Sequence, residues 1–128
     1  PRLDEMYWAD ETGCYMNDKK LQVNNYPYDK SLISVEGRNR LQIMASMSKF
    51  NRNVRGVYSS CVSFSYVASG VFGGVVLTHD TVWDYIPGQY LVKQAGGFIY
   101  NEKSFHIAAN SKELGMFILE KAKAINEN

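Results

Sequence analysis

Acidic and hydroxyl side chains stand where two predicted helices begin, and they are the residues of this chain best suited to chemistry. One of them, Asp84, opens an apolar helical run that ends at Gly96 and Gly97. The first turn of a helix favours negative charge and has backbone N–H groups without intrahelical partners. Asp84 can therefore cap this helix or hold a metal ion. If it is the N-cap, Pro87 falls in the first turn, where its missing N–H costs nothing.

Two adjacent hydroxyls, Ser59 and Ser60, lie between a strand-like segment and a predicted helix over residues 61–69. They can cap that helix, or they can present hydroxyl and backbone N–H groups to an anion. Ligands of open α/β sheets bind beyond the carboxyl ends of the strands. If the N-terminus of the helix that begins near Ser59 and the N-terminus of the helix that begins near Asp84 meet at such an edge, the two would together hold a phosphate and its metal ion.

The other acids and the histidines do not add an obvious metal site. Mg²⁺ takes oxygen ligands, and a two-metal phosphatase needs several carboxylates, so a single aspartate is an incomplete site. Glu36 and Asp80 lie at the ends of predicted strands, where they either make polar contacts or face solvent. His79 and His106 are not spaced as partners of any other candidate ligand.

The composition is that of an ordinary soluble globular protein of 128 residues, with 45% hydrophobic and 21% charged residues. A net charge of +1 excludes a broad electrostatic surface for nucleic acid or for an anionic membrane. No apolar run approaches the ~20 residues that a membrane span needs. Cys14 and Cys61 are far apart and lack metal-ligand spacing, so we expect both to be reduced core residues of a cytoplasmic protein.

The pattern of apolar residues divides the chain into two parts. Residues 1–30 predict a β-ribbon followed by a linker that contains Pro27. Residues 31–128 predict an α/β domain, in which strands and helices alternate and helices flank a mainly parallel sheet. We expect ribbon strands at 5–9, 14–16 and 21–23, domain strands at 32–35, 54–58, 75–77, 98–100 and 105–108, and helices at 38–50, 61–69, 83–94 and, after a cap at Asn110 or Ser111, up to 125.

Several motifs cover essentially the whole chain: residues 3–9 with Gly13 and Asn17, 31–36, 55–61 with 67–70, 83–84 with 95–97, and 107–110. In this order along the chain they resemble the inositol monophosphatase family of phosphatases. The resemblance implies the C-terminal half of that family's layered fold, with residues 1–30 as a remnant of its N-terminal sheet domain. It also implies Mg²⁺-dependent hydrolysis of phosphate monoesters.

The resemblance also implies roles for individual residues. Asp84 would be a metal ligand, and Ser59 and Ser60 would lie beside the substrate. Tyr58 replaces the family's usual glycine next to the phosphate pocket and adds bulk there. Leu77 replaces an acid that contacts inositol hydroxyls in the inositol-specific enzymes, and because leucine accepts no hydrogen bond, inositol phosphate is in doubt as the substrate.

The largest departure from the family pattern is an absence. The family's upstream glutamate and its Asp-Pro-x-Asp-Gly-Thr motif, which carry most metal ligands, do not occur here and would precede Pro1. We therefore expect no complete catalytic set in this chain, and we expect the remaining Mg²⁺ ligands upstream. The expected partners are a phosphorylated small molecule, the missing N-terminal half and a further copy of the chain.

The sequence thus predicts the C-terminal part of a Mg²⁺-dependent phosphomonoesterase that acts on a sugar, polyol or inositol phosphate and is inactive as this chain alone. One alternative is a non-catalytic half-protein or degenerate paralogue that binds a partner or a phosphorylated ligand. A second alternative is a phosphatase of nucleotide phosphates within the same superfamily, which differs from the first reading only in substrate.

Overall fold

The computed structural model describes residues 4–78 and 81–125. Its first part is a three-stranded antiparallel sheet in the order β1-β2-β3, which confirms the predicted ribbon to within two residues at most strand ends. The turn between the first two strands is closed by the Asp10 carboxylate, which accepts hydrogen bonds from the Thr12 N–H and hydroxyl. The strands are β1 (Tyr7–Asp10), β2 (Gly13–Met16) and β3 (Lys19–Leu21).

The second part is a five-stranded sheet in the order β5-β4-β6-β8-β7, with helices on both faces. A single 3₁₀ turn at Tyr28–Lys30 leads into it from the ribbon. The strands are β4 (Ile33–Gly37), β5 (Val54–Arg55), β6 (Gly74–Thr78), β7 (Phe98–Glu102) and β8 (Phe105–Ala109), and the helices are α1 (Arg40–Met47), α2 (Ser60–Ala68), α3 (Val82–Gln94) and α4 (Lys112–Ala124).

The α/β class with flanking helices and a mainly parallel sheet is confirmed, because four of the five strands run in the same direction and β8 is the one that is reversed. β4 pairs in parallel with β5 and with β6, whereas β8 pairs antiparallel with both β6 and β7. The reason is the short connection at Lys103 and Ser104, which allows only a hairpin. A parallel connection would require a crossover of a dozen or more residues.

Each face of the large sheet supports its own hydrophobic core. On one face, side chains of β4, β6 and β8 such as Val35, Val76 and Ile107 pack against α1 and α4. On the other face, Val75, Leu77 and Ala108 pack against α2 and α3. The alternation follows from the two-residue period of a strand, which sends neighbouring side chains to opposite faces.

The ribbon packs on the same side of the sheet as α2 and α3. Cys14 and Leu21 are buried in the core that contains Phe64 of α2 and Val92 of α3. Just beyond β3, the Val23 N–H donates to the carbonyl oxygen of Ala95 at 3.0 Å. These contacts tie the ribbon to the two helices whose N-termini carry the candidate chemistry.

The two cysteines have different environments, so the prediction that both are core residues is half right. Cys14 is buried, and burial raises the pKa of its thiol. Cys61 is exposed because it lies in the first turn of α2, at the solvent end of that helix. Both thiols are free.

The predicted helix over residues 83–94 is confirmed to within one residue at its start, but Asp84 is not its N-cap. Thr81 is the N-cap, so Asp84 is the third residue of the helix and Pro87 lies inside it. The Asp84 N–H donates to the Thr81 carbonyl oxygen at 3.0 Å. Pro87 is tolerated because its missing N–H frees only the carbonyl of Trp83, which lies in the exposed first turn. No helix within the described ranges is both long and apolar enough for a membrane span.

Candidate functional site

The five residues singled out from the sequence lie around one cavity of about 210 Å³ at the carboxyl ends of β4 and β6. The cavity therefore contains both the hydroxyl-bearing start of α2 and the carboxylate-bearing start of α3. Three further residues complete its wall, and one of them is acidic and another basic. The lining residues are Glu36, Gly37, Arg40, Tyr58, Ser59, Ser60, Leu77 and Asp84.

The topology explains why two distant segments meet here. β4 and β6 are parallel and in register, so that Gly37 at the end of β4 pairs with Thr78 at the end of β6. Helix α3 follows β6, and α2 begins just after β5 at the same edge. The two helices approach closely, because a Cβ placed on Gly88 of α3 would lie only 2.4 Å from the ring of Phe64 on α2.

Glu36 is buried in the cavity wall, with 2% of its surface exposed, so of the two alternatives it makes polar contacts and does not face solvent. Its Oε1 accepts hydrogen bonds from the Val57 N–H at 2.6 Å and from the hydroxyls of Ser34 and Ser63 at 2.9 and 3.2 Å. Its Oε2 accepts from the Tyr58 N–H at 2.9 Å. A buried carboxylate is expected to be fully hydrogen bonded in this way.

The positive charge of Arg40 compensates the negative charge of Glu36. Arg40 was not among the candidate residues indicated by the sequence. One of its terminal guanidinium nitrogens lies 3.8 Å from Glu36 Oε2. The guanidinium also lies 3.9 Å from the centre of the Tyr58 ring, a cation–π contact. The spacing of four residues between Glu36 and Arg40 was the available signal, but the segment between them is a turn, so the spacing did not by itself indicate an ion pair.

Tyr58 has a left-handed backbone conformation, with φ of +67°. Such a conformation costs a non-glycine residue about 1–2 kcal/mol, which explains why the family pattern has a glycine at this position. The side chain is 75% exposed and forms the outer wall of the cavity over Arg40. The hydrogen bond from its N–H to Glu36 holds this turn in place.

The two serines and Leu77 occupy different parts of the wall. Ser59 is the N-cap of α2, and its hydroxyl accepts a hydrogen bond from the Val62 N–H at 3.4 Å, so its capping role is established. Ser60 is the first residue of that helix. Leu77 is 3% exposed and offers the cavity only methyl groups.

The donor set can supply part of a Mg²⁺ site. Within residues 4–78 and 81–125, no three His, Cys, Asp or Glu side chains form a cluster that could hold a metal ion. Two carboxylates line the cavity: Glu36 accepts four hydrogen bonds, and Asp84 is half-buried in the first turn of α3. Carboxylate oxygens are suitable Mg²⁺ ligands, so Asp84 can contribute one ligand to a site completed by others.

Of the remaining candidates, His106 is the one that the structure describes, and it does not line the cavity. His79 and Asp80 lie outside the described residues. His106 is buried on β8, where its ring stacks on Tyr85 at 3.5 Å between centroids and its Nδ1 lies 2.6 Å from Asn101 Oδ1. Its contacts support the packing of α3 on the sheet.

Comparison with known proteins agrees with this arrangement of fold and site. A model of the inositol monophosphatase family matches residues 1–124. This chain belongs to the inositol monophosphatase family. One inositol monophosphatase family relative, named fructose-1,6-bisphosphatase/inositol-1-monophosphatase in Aquifex aeolicus, is 29% identical over 141 aligned positions, which cover 99% of this chain and 53% of that protein.

Solved structures of inositol monophosphatase family proteins show the same fold. The extragenic suppressor protein SuhB of Bartonella henselae has a TM-score of 0.84 at 21% identity, covering 94% of this chain and 55% of that one. Inositol monophosphatase from Anabaena (Nostoc) has a TM-score of 0.80 at 20% identity, covering 99% and 56% respectively. The chain thus spans about half the length of these relatives.

Proposed function

We propose that this chain is the C-terminal part of a Mg²⁺-dependent phosphomonoesterase. The observation that carries the proposal is the convergence of Ser59, Ser60 and Asp84 on one cavity at the carboxyl edge of the sheet. Hydroxyls and first-turn N–H groups bind phosphate, and a neighbouring carboxylate binds the metal that accompanies it. Membership of the inositol monophosphatase family supports the same assignment.

Each residue of the cavity has a distinct role in this proposal. The start of α2, with Ser59 and Ser60, holds the phosphate oxygens through hydrogen bonds. Asp84 donates a carboxylate oxygen to Mg²⁺. When bound, Mg²⁺ neutralises phosphate charge and polarises the phosphoryl oxygens for attack. Tyr58 and Leu77 border the part of the substrate that carries the phosphate.

Leu77 puts inositol phosphate in doubt as the substrate, because leucine cannot accept the hydrogen bond that an acid at this position would take from an inositol hydroxyl. A site that presents a leucine to a ring hydroxyl leaves that hydroxyl without a partner once water is excluded, which weakens binding. The Aquifex aeolicus relative is named for both a sugar bisphosphate and an inositol phosphate, so the family pattern accommodates sugar phosphates.

We also propose that the remaining Mg²⁺ ligands belong to an N-terminal half that precedes this chain. The proposal is supported by the coverage of about half of each relative and by the small number of carboxylates, Glu36 and Asp84, that line the described cavity. In this proposal residues 1–30 belong with the sheet domain of that half, and residues 31–128 form the C-terminal domain. The two free thiols support a reducing, cytoplasmic location.

An apolar stripe on α3 supports association with another protein surface. Val82, Trp83, Ile86 and Tyr90 are 43–73% exposed and recur at spacings of three and four residues, so they share one helix face. We propose that this stripe packs against the N-terminal half in the intact protein. In the isolated chain a second copy would cover it, giving a dimer or larger assembly.

The intact protein tests the proposed function directly. Phosphate release would be measured with sugar phosphates, a polyol phosphate, inositol phosphate and a nucleotide 3′-phosphate, with millimolar Mg²⁺ and with a chelator. We expect turnover that depends on Mg²⁺ and is faster for a sugar or polyol phosphate than for inositol phosphate. If the protein prefers the nucleotide phosphate, the proposed substrate class is wrong, but the proposed hydrolysis of phosphate monoesters is not contradicted.

A non-catalytic function is the second candidate, and the exposed Tyr58 ring over Arg40 favours it because that pair fills space the family leaves open. In that case the intact protein would bind a phosphorylated ligand or a protein partner. It would then release no phosphate from any substrate in the panel, with or without Mg²⁺.

A further inference from the structure

The carboxylate of Glu36 joins three elements at the edge of the cavity. It projects from the end of β4, accepts the N–H groups of Val57 and Tyr58 at 2.6 and 2.9 Å, and accepts the hydroxyl of Ser63 on α2 at 3.2 Å. Ser34, two residues earlier on β4, donates to the same carboxylate at 2.9 Å and lies 2.8 Å from the Ser63 hydroxyl oxygen. We propose that Glu36 is a positioning residue for phosphate binding, an inference that rests on the proposed phosphatase function.

The turn that Glu36 holds leads directly into the phosphate-binding helix start. Tyr58 is followed at once by Ser59, the N-cap of α2, and by Ser60, its first residue. A shift of the 57–58 backbone would therefore displace both hydroxyls and the first-turn N–H groups of α2. Binding groups must be held within about 0.5 Å of their working positions to act on one ligand.

This turn needs an external anchor because its own backbone conformation is unfavourable. Tyr58 has φ of +67°, a region that favours glycine. β5 ends at Arg55, so residues 57 and 58 have no neighbouring strand in the ladder to fix them. The two bonds to Glu36 direct the N–H groups of 57 and 58 into the protein, and the hydroxyls of the next two residues border the cavity.

A carboxylate is suited to this task because it accepts several charge-assisted hydrogen bonds at once. All the groups that contact it at hydrogen-bond distance are donors, two N–H and two O–H. Arg40, at 3.8 Å, offsets the cost of burying its charge and also stacks on the ring of Tyr58. Glu36 thus holds the backbone of the strained residue Tyr58, and Arg40 holds its side chain.

The test compares Glu36→Gln with Glu102→Gln in the intact protein. Glu102 lies on β7, pairs with Lys123 of α4 and does not line the cavity, so its variant removes an ion-paired carboxylate that is more exposed and lies elsewhere. The affinity for inorganic phosphate would be measured by calorimetry, together with KM and kcat. We expect E36Q to weaken phosphate binding and to raise KM about tenfold, the scale seen when outer-shell partners are lost. E102Q should bind phosphate as the wild type does.

A double variant separates positioning from a general structural role. Glycine at position 58 adopts a positive φ without strain, so E36Q/Tyr58→Gly should recover much of the phosphate affinity that E36Q loses. Loss of core packing around Glu36 would not be repaired by this change. If E36Q does not fold, Glu36→Asp takes its place. Aspartate keeps the negative charge beside Arg40, but its shorter side chain moves the carboxylate away from the N–H groups of Val57 and Tyr58.

The outcomes distinguish the two proposals. A wild type that neither binds phosphate nor releases it from any ester contradicts the proposed function, and the role of Glu36 with it. A wild type that binds phosphate, alongside an E36Q variant that binds it equally well, overturns the positioning role alone. Failure of glycine at position 58 to restore affinity, or failure of both Glu36 variants to fold, also overturns it, because the carboxylate would then serve the fold and not the turn.

Discussion

The starts of α2 and α3 border the same cavity but are built in opposite ways. The start of α2 is fixed from within the chain, because Ser59 caps the helix and Glu36 holds the preceding turn. The start of α3 presents Asp84 at the cavity and exposes Trp83 and Ile86 beside it, with 73% and 54% of their surfaces accessible. The N-terminus of α2 thus combines a capped helix with an anchored turn, and the N-terminus of α3 presents a carboxylate and an apolar surface.

This difference indicates how the work of the site is divided. The proposed phosphate-binding part is preorganised by hydrogen bonds within residues 33–63, so it should retain affinity for an anion without help. The proposed metal-binding part contributes Asp84 and has an apolar stripe next to it, so we expect its completion by ligands from another part of the protein.

The largest effect is expected from Asp84→Asn in the intact protein. The amide is a poorer Mg²⁺ ligand than the carboxylate, so kcat/KM should fall by about a hundredfold or more at a fixed Mg²⁺ concentration. Phosphate binding without Mg²⁺ should not weaken. Asp18→Asn, in an exposed ribbon turn, is the matched control. Full Mg²⁺-dependent activity in D84N would show that Asp84 is only a helix-terminal acid.

A smaller effect is expected from Ser59→Ala, for which Ser111→Ala is the matched control. Each serine is an N-cap whose hydroxyl accepts from the N–H three residues on, at 3.4 Å for Ser59 and 3.2 Å for Ser111. Both variants should lose about 1 kcal/mol of stability in chemical denaturation. Only S59A should also weaken phosphate binding. Equal phosphate affinities in the two variants would limit Ser59 to capping.

The contrast between the two starts was only partly visible in the sequence. Apolar patterning located the eight strands and four α-helices of the described residues, though not the 3₁₀ turn at Tyr28–Lys30, and helix-start chemistry indicated Ser59, Ser60 and Asp84. The sequence did not show that Asp84 is the third residue of α3 instead of its N-cap. Thr81, three residues earlier, is also a residue type that favours the N-cap, and the helix begins there. Propensity alone does not choose between two nearby caps.

The part of the site that the sequence did not reveal depends on tertiary contacts. The partners of Glu36 are the N–H groups of residues 57 and 58, more than twenty positions away, so its burial requires the fold. Its one local signal was an acid within the apolar run of β4. The antiparallel strands were predictable in principle, since a two-residue connection at Lys103 and Ser104 implies a hairpin, but strand patterns do not report direction.

A moderate effect on association is expected from Ile86→Lys in the chain of residues 1–128. A charge in the middle of the exposed stripe opposes its burial against a second copy, so the mean mass in light scattering should shift towards the monomer. Leu41→Lys on α1, where the leucine is 74% exposed on the other face of the sheet, should leave the mass unchanged. A wild-type chain that is monomeric at high concentration would contradict self-association.

The smallest effect is expected from the ion pair between Glu102 and Lys123. The hydrogen bond from the Lys123 ammonium group lowers the pKa of Glu102 below its ordinary value. A carboxyl with a lowered folded-state pKa stabilises the fold above its unfolded-state pKa, and this contribution is lost as the pH falls through the folded-state pKa. E102Q should therefore melt slightly below the wild type at neutral pH and at the same temperature in strongly acidic buffer. A difference that persists in acid would point to lost packing.

Phosphate release by the purified chain of residues 1–128 tests the central claim most directly. The assay would use sugar, polyol and inositol phosphates with millimolar Mg²⁺, beside the intact protein under identical conditions. If Asp84 is the one metal ligand that this chain contributes and the other ligands lie elsewhere in the intact protein, the chain should release no phosphate above buffer and the intact protein should release it clearly. Turnover by the chain alone would contradict the account, because residues 1–128 would then hold a complete active site.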